Sequence, residues 1–136
     1  DARIRVLIAD DHEMVRSGLR MIVEDEDDML VVGEAADGAE GLRVALDTRP
    51  DVLLADLRMP PPDGIELARL LRQRAPETRT IIVTAHEDGE IARDALAAGA
   101  VGYVVKRAGP TALIDAIREV AAGGSCFDIL AQRAEM

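Results

Sequence analysis

Residues 4–13 read IRVLIADDHE: an almost unbroken aliphatic run, two adjacent aspartates, then the first residues of a helical pattern. A strand with one face in water alternates apolar and polar residues. A run such as Ile4–Ala9 therefore belongs to a strand covered on both faces, as in a parallel sheet. Runs of the same kind follow at Val52–Ala55 (VLLA) and Ile81–Val83, with Leu30–Val32 and Tyr103–Val105 completing a set of five. Between the runs the apolar spacing becomes helical. Val15, Leu19, Ile22 and Val23 share one helix face, as do Leu42, Ala45 and Leu46, and then Ile65, Ala68, Leu70 and Leu71. Ile91, Ala95 and Leu96 make a fourth stripe, and Leu113, Ile114, Ile117 and Val120 a fifth.

Turn chemistry falls between these elements, at Asp37-Gly38, Arg49-Pro50-Asp51, Pro60-Pro61-Pro62-Asp63-Gly64 and Gly109-Pro110. Asp10, three residues before Glu13, reads as an acidic capping box for the first helix. Five βα units with right-handed crossovers predict an α/β fold: a flavodoxin-like (βα)5 three-layer sandwich with parallel sheet order 2-1-3-4-5. The domain is expected to occupy residues 1–122. After Gly123-Gly124 the periodicity stops, so residues 123–136 read as the start of a linker or a frayed tail, and the chain as a piece cut from a longer protein.

The 136 residues suit one domain, and composition narrows its work. The chain carries 26 acidic and 16 basic residues for a net charge of −10, which argues against this segment gripping a phosphate backbone. Tyr103 and Phe127 are the aromatic residues, too few for a stacking platform on single-stranded nucleic acid. Cys126 stands alone, which rules out an internal disulfide and a cysteine-rich zinc site. No apolar run approaches the ~20 residues of a membrane span, so a cytoplasmic protein with no membrane partner is expected.

In such a sheet, ligands bind beyond the carboxyl ends of the strands. The strand assignments bring Asp10 and Asp11 (after the first strand), Asp56 (third), Thr84 (fourth) and Lys106 (fifth) to that edge. Two carboxylates about 5 Å apart repel by roughly 3 kcal/mol at an effective dielectric of 20. Three such pairs would cost on the order of 10 kcal/mol, as much as a domain's whole stability. A cation must offset this, and oxygen donors suit a hard ion that leaves room for phosphate, Mg²⁺ first among them. Lys106 is the single lysine among the 16 basic residues, a compact charge suited to a phosphoryl oxygen. Thr84 offers a hydroxyl to the same group. His12 and His86 read as surface or helix-start residues.

The set Asp10-Asp11, Asp56, Thr84 and Lys106 resembles the receiver domain of bacterial two-component response regulators, over residues 3–122. Ala9-Asp10-Asp11-His12 with Val15-Arg16 and Gly18-Leu19, Asp56-Leu57-Arg58-Met59-Pro60 with Asp63-Gly64, and Gly102-Tyr103 resemble its NarL/FixJ branch. The resemblance implies that Asp56 accepts a phosphoryl group from a sensor histidine kinase. Mg²⁺ would be held by Asp11, Asp56 and the backbone carbonyl of Arg58, with Asp10 acting largely through water. Thr84, Lys106 and the N–H of Ala85 would hold the phosphoryl oxygens. Thr84 would move onto the phosphate and draw Tyr103 inward, remodelling the face of helix 4, strand 5 and helix 5. It further implies a phosphorylation-dependent homodimer through helices 1 and 5 or helices 4 and 5. DNA would be bound only by a LuxR-type output domain beyond Met136, with Ala131-Gln132-Arg133 in its linker.

Two departures from the family pattern are visible. Arg107 stands where a cis-proline often follows the lysine; a cis bond there would cost roughly 2.5–4 kcal/mol, and the sequence leaves its isomer open. Pro61-Pro62 replaces a glycine-containing step and should stiffen the loop beside Asp56. Among other functions, a stand-alone receiver that signals by docking a partner protein is the main alternative. A receiver-shaped domain that is never phosphorylated would lack an acid or the lysine. An aspartyl-phosphate phosphatase of the haloacid dehalogenase type needs a second acid two residues after its nucleophile, where this chain has Arg58. No glycine cradle for a nucleotide is present.

Overall fold

The computed structural model describes residues 2–127. Strands and helices alternate as β1 (Ile4–Ala9), α1 (Glu13–Glu24), β2 (Met29–Ala35), α2 (Gly38–Thr48), β3 (Val52–Asp56), α3 (Gly64–Arg74) and β4 (Arg79–Thr84). Then come α4 (Gly89–Ala98), β5 (Gly102–Val105), a 3-10 turn at Lys106–Ala108 and α5 (Pro110–Ala121). The strands are parallel and ordered β2-β1-β3-β4-β5, the topology expected from the sequence.

The aliphatic runs are unbroken because both faces of the sheet are covered. Leu7, Leu53, Ala55, Ile82 and Tyr103 point one way and pack with Ala45 of α2, Leu67 and Leu71 of α3 and Ala95 of α4. Val6, Ile8, Leu54, Ile81 and Val83 point the other way, onto Leu19 and Val23 of α1 and Leu113, Ile117 and Val120 of α5. Burying each such side chain contributes roughly 1.5–3 kcal/mol, so the core holds the sheet's carboxyl edge rigid. β3 is central and every one of its residues is buried, Asp56 included.

Four local features differ from the sequence reading or complete it. The first helix has no Asp10 capping box: His12 is the N-cap and makes no side-chain cap bond. Asp10 is still tied to the sheet through its N–H to the Ala35 carbonyl, and the backbone N–H its carboxylate meets at the helix start is that of His12, at 2.8 Å. The full capping box lies at α3, where Asp63 accepts from the Glu66 N–H and Glu66 from the Asp63 N–H. On α4 the buried stripe is Ala92, Ala95 and Ala98, and Leu96 is 48% exposed. The small side chains face the sheet, which lets the helix lie close to it. The Lys106–Arg107 bond is trans; the cis bond among the described residues is Pro61-Pro62.

The fourth difference lies at the end of α5. The chain does not leave the domain at Gly123-Gly124. It turns there and runs beside β5, where Cys126 pairs in parallel with Gly102. Cys126 packs on the α1–α5 side of the sheet and Phe127 on the α4 side, as successive residues of a strand would. Residues 128–136, with the expected linker motif Ala131-Gln132-Arg133, lie outside the described residues.

Candidate functional site

Register brings the site together. Ala9 of β1 pairs with Ala55 of β3, which sets Asp10 beside Asp56 at the carboxyl edge. Asp56 pairs with Val83, and Thr84 with Val105, so Thr84 and Lys106 reach the same rim. Asp10, Asp11, Asp56, Thr84 and Lys106 are thus brought together as expected. One ligand atom from each of Asp10, Asp11, His12 and Asp56 lies within 4.8 Å of the others.

Asp10 is buried with both oxygens engaged. Oδ1 accepts from the His12 N–H at 2.8 Å and lies 3.2 Å from His12 Nδ1; Oδ2 accepts from Lys106 Nζ at 3.2 Å. Lys106 Nζ also lies 3.7 Å from Asp56 Oδ1, so one ammonium bridges the two buried acids. Asp11 is more open, and its Oδ1 is 3.0 Å from His12 Nδ1. Burial and then the neighbouring Asp10 charge push the Asp56 carboxyl above its ordinary value; Lys106 pulls it back down. Asp56 is therefore a buried carboxyl group whose ion-pair partner is the Lys106 ammonium.

The loop between β3 and α3 is fitted to this edge. Leu57 and Met59 are buried, while Arg58 between them is exposed. Two glycines allow the backbone to close. A Cβ at Gly64 would lie 2.4 Å from the Asp56 carbonyl oxygen, and one at Gly38 would lie 1.6 Å from that of Pro62. Their N–H groups donate to the Leu57 and Pro60 carbonyls, both at 3.1 Å. The loop carrying Arg58 is thereby pinned between the starts of α2 and α3.

On the other side, Thr84 is buried and its Oγ1 accepts from the His86 N–H at 3.2 Å. Ala85, between them, is exposed. Tyr103 already lies inside, 3% exposed, its hydroxyl donating to the His86 carbonyl at 2.9 Å. Burial and then the charge of Asp88 push its phenol up.

Two contributors were not legible as such. His12, read as a surface or helix-start residue, is the exposed N-cap of α1, and it also presents Nδ1 to Asp10 at 3.2 Å and to Asp11 at 3.0 Å. Arg16 donates from a terminal guanidinium nitrogen to the Asp10 carbonyl at 2.7 Å, and its Nε lies 3.5 Å from Glu34. It clamps the strand end from which Asp10 projects. Their signal was position alone: helix N-cap, and one turn into the helix.

A family model described as the response regulator receiver domain matches residues 6–118. The chain belongs to that family. Relatives of this receiver domain are transcriptional regulators. It is 42% identical over 125 residues to the transcriptional regulatory protein YxjL of Bacillus subtilis, covering 92% of this chain and 57% of that one. It is 41% identical over 133 residues to the DNA-binding transcriptional activator DevR/DosR of Mycobacterium tuberculosis, covering 98% and 61%. The chain thus spans about three fifths of the length of these relatives. Among solved structures, a LuxR-family response regulator from Aurantimonas sp. SI85-9A1 superposes with a TM-score of 0.92 at 39% identity, covering 98% of this chain and 96% of that one. The isolated receiver domain of RcsB from Salmonella enterica, solved with the phosphomimetic BeF3-, gives 0.83 at 30% identity, covering 96% and 97%. Among the described residues no helix is long and apolar enough to cross a membrane.

Proposed function

We propose that this receiver domain accepts a phosphoryl group on Asp56 from the phosphohistidine of a sensor histidine kinase and thereby controls a LuxR-type DNA-binding domain. The observation that carries the reading is the Lys106 ammonium 3.7 Å from Asp56 and 3.2 Å from Asp10, at the edge where three carboxylates meet. An Asp56 oxygen attacks phosphorus, the P–O bond forms, and the P–N bond breaks as the imidazole leaves. Lys106 then moves its charge toward the new phosphoryl oxygens, and the Thr84 hydroxyl and Ala85 N–H donate to them. Catalysis is positioning plus charge neutralisation, since the side chains themselves supply little covalent chemistry. This makes the domain a phosphoacceptor that turns over only itself.

The donor set fits Mg²⁺: Asp10, Asp11 and Asp56 present oxygen atoms within 4.8 Å of one another, Asp10 with its Oδ2 on Lys106, and the Arg58 backbone lies in the pinned loop. Bound there, the ion would supply positive charge against the phosphoryl oxygens. The domain's relatives continue well beyond its length, which favours a transcription factor over a stand-alone receiver. Pairing of two copies fits α1 and α5 better than α4 and α5. Met14 and Met21, one heptad apart on α1, are 88% and 71% exposed, and Met21 borders a groove against Pro110, Ile114 and Arg118 of α5. Incubation with Mg²⁺ and a small phosphodonor should add one phosphoryl group by intact mass, with dimerisation following by sedimentation. No addition, or one that survives Asp56→Asn, would sink the reading.

A further inference from the structure

The backbone of Asp10 is tied to the edge strand β2 twice over. Its N–H donates to the Ala35 carbonyl at 3.0 Å, just past the last paired residues, Ala9 and Ala35. Its carbonyl, one residue beyond the end of β1, accepts from Arg16 Nη1 at 2.7 Å. Arg16 Nε lies 3.5 Å from Glu34 Oε1, and Glu34 is the residue before Ala35. The other Glu34 oxygen pairs with Arg20, one turn further along α1, so both carboxylate oxygens are taken. A closed ring results, running from Asp10 through Ala35, Glu34 and Arg16 back to Asp10. The side chains of Arg16 and Glu34 are 18% and 30% exposed, which sets them apart from open surface ion pairs that contribute little. The carbonyl that Arg16 holds belongs to the planar peptide joining Asp10 to Asp11. Fixing that plane fixes the directions in which the two adjacent acids leave the backbone.

We propose that Arg16, braced by Glu34, is a positioning residue for the acidic cluster and sets its preference for Mg²⁺ over larger divalent ions. The inference rests on the phosphoacceptor reading above, in which these acids hold Mg²⁺, and adds what keeps them in place. Mg²⁺ demands a near-octahedral set of oxygens at short distance, whereas Ca²⁺ accepts more oxygens in a looser array. Acids on adjacent residues meet the stricter demand only if the peptide between them does not swivel. Lys106 and the His12 N–H hold the Asp10 carboxylate, which leaves the peptide leading to Asp11 to Arg16. Groups that orient a metal ligand from behind change metal affinity by about ten- to a hundredfold when they are lost. Charge acts in the opposite direction. Arg16 is a cation, so removing it makes the cluster more negative and by charge alone tightens any divalent ion. The sign of the change therefore separates positioning from electrostatics. A lysine keeps the charge but not the fork that meets the Asp10 carbonyl with Nη1 and Glu34 with Nε.

Calorimetric titration of this chain with Mg²⁺ and, separately, with Ca²⁺ tests the proposal, with urea denaturation reporting the stability of each variant. Arg16→Gln should raise the Mg²⁺ Kd by about tenfold and the Ca²⁺ Kd by much less. Arg16→Lys should fall between Arg16→Gln and wild type. An Arg16→Gln protein that binds Mg²⁺ as tightly as wild type, or more tightly, would overturn the proposal, because charge alone gives that result. Equal weakening of both ions would overturn it too, since a loss of geometry falls on Mg²⁺ first. So would an Arg16→Lys protein with wild-type affinity for Mg²⁺, which would show that position 16 needs only a positive charge. If Arg16→Gln fails to fold, Arg16→Lys carries the test, with Mg²⁺ binding weakened and Ca²⁺ binding close to wild type. Intact mass after incubation with Mg²⁺ and a small phosphodonor keeps the two readings apart. Wild type that takes up a phosphoryl group, beside an Arg16→Gln protein of unchanged Mg²⁺ Kd, would overturn this proposal and leave the phosphoacceptor reading intact. Wild type that binds no Mg²⁺ or takes up no phosphoryl group would overturn both.

Discussion

Gly64→Ala adds one methyl group at the place where helix α3 touches the backbone of Asp56, the proposed phosphoacceptor. The new Cβ would lie 2.4 Å from the Asp56 carbonyl oxygen, 3.1 Å from its carbonyl carbon and 3.2 Å from Ile82 Cδ1. The Ile82 methyl can rotate away, but the carbonyl cannot, because β3 is paired on both sides. Relief to an ordinary contact needs about 1 Å of backbone separation, either of α3 from the sheet or of Asp56 from its place beside Lys106. Overpacking of this kind costs about 1–3 kcal/mol, against at most ~1 kcal/mol gained from alanine's helix propensity. A shift of about 1 Å at a reacting group costs on the order of a hundredfold in rate. Urea denaturation should therefore register a loss of roughly 1–2 kcal/mol. A time course by intact mass should show Mg²⁺-dependent phosphorylation slowed by about a hundredfold. The same substitution at Gly18, inside α1 with nothing within 4 Å of its added Cβ, should instead stabilise by about 0.5–1 kcal/mol and leave the rate alone. A Gly64→Ala protein with wild-type stability and rate would refute the reasoning.

Three further outcomes are expected. Burial and Asp10 hold the Asp56 carboxyl above its ordinary 3.8, so the stability this acid contributes is full below that pH and is lost as pH rises through its folded-state value. Asp56→Asn should gain on wild type in denaturation midpoint as pH rises from below 3.8 to neutrality; a gap that stays flat or reverses refutes this. Mg²⁺ at a hundred times its Kd should raise the unfolding free energy by about 2.7 kcal/mol, reversibly on chelation, with Asp11→Asn losing most of the effect. Lys106→Arg should fold and accept the phosphoryl group but fail to dimerise on doing so, because a planar guanidinium cannot bridge Asp10 and Asp56 as a point charge does. Wild-type dimerisation of the phosphorylated variant would show that position 106 needs only a positive charge.

Much of the site was legible because it sits where strands end. Asp10, Asp56, Thr84 and Lys106 each follow an aliphatic run, and a parallel sheet sends every run's last residue to one edge. His12 was not legible, because its contact with two acids depends on where α1 begins, and the Asp10–Glu13 spacing pointed to a different start. Leu96 failed for a related reason: apolar spacing on α4 fits more than one face, and the alanines win the sheet because they allow closer approach. The pairing of Cys126 with Gly102 has no local period at all, since a single bridge is too short to leave one.

The order of elements, the burial of the sheet on both faces and the identity of the acidic cluster follow from sequence alone, because alternation and helical spacing are local properties of a chain. Tertiary structure decided what depends on pairs remote in the chain. Gly18, Gly38 and Gly64 are the same residue at the start or in the body of a helix, yet one has open space beside it and two press on backbone of the β3–α3 loop and Asp56. Lys106 was marked by its rarity, but only the fold sets its ammonium between Asp10 and Asp56. Distance between segments is the quantity that no local pattern encodes, and in this domain it is distance that turns four ordinary strand ends into one site.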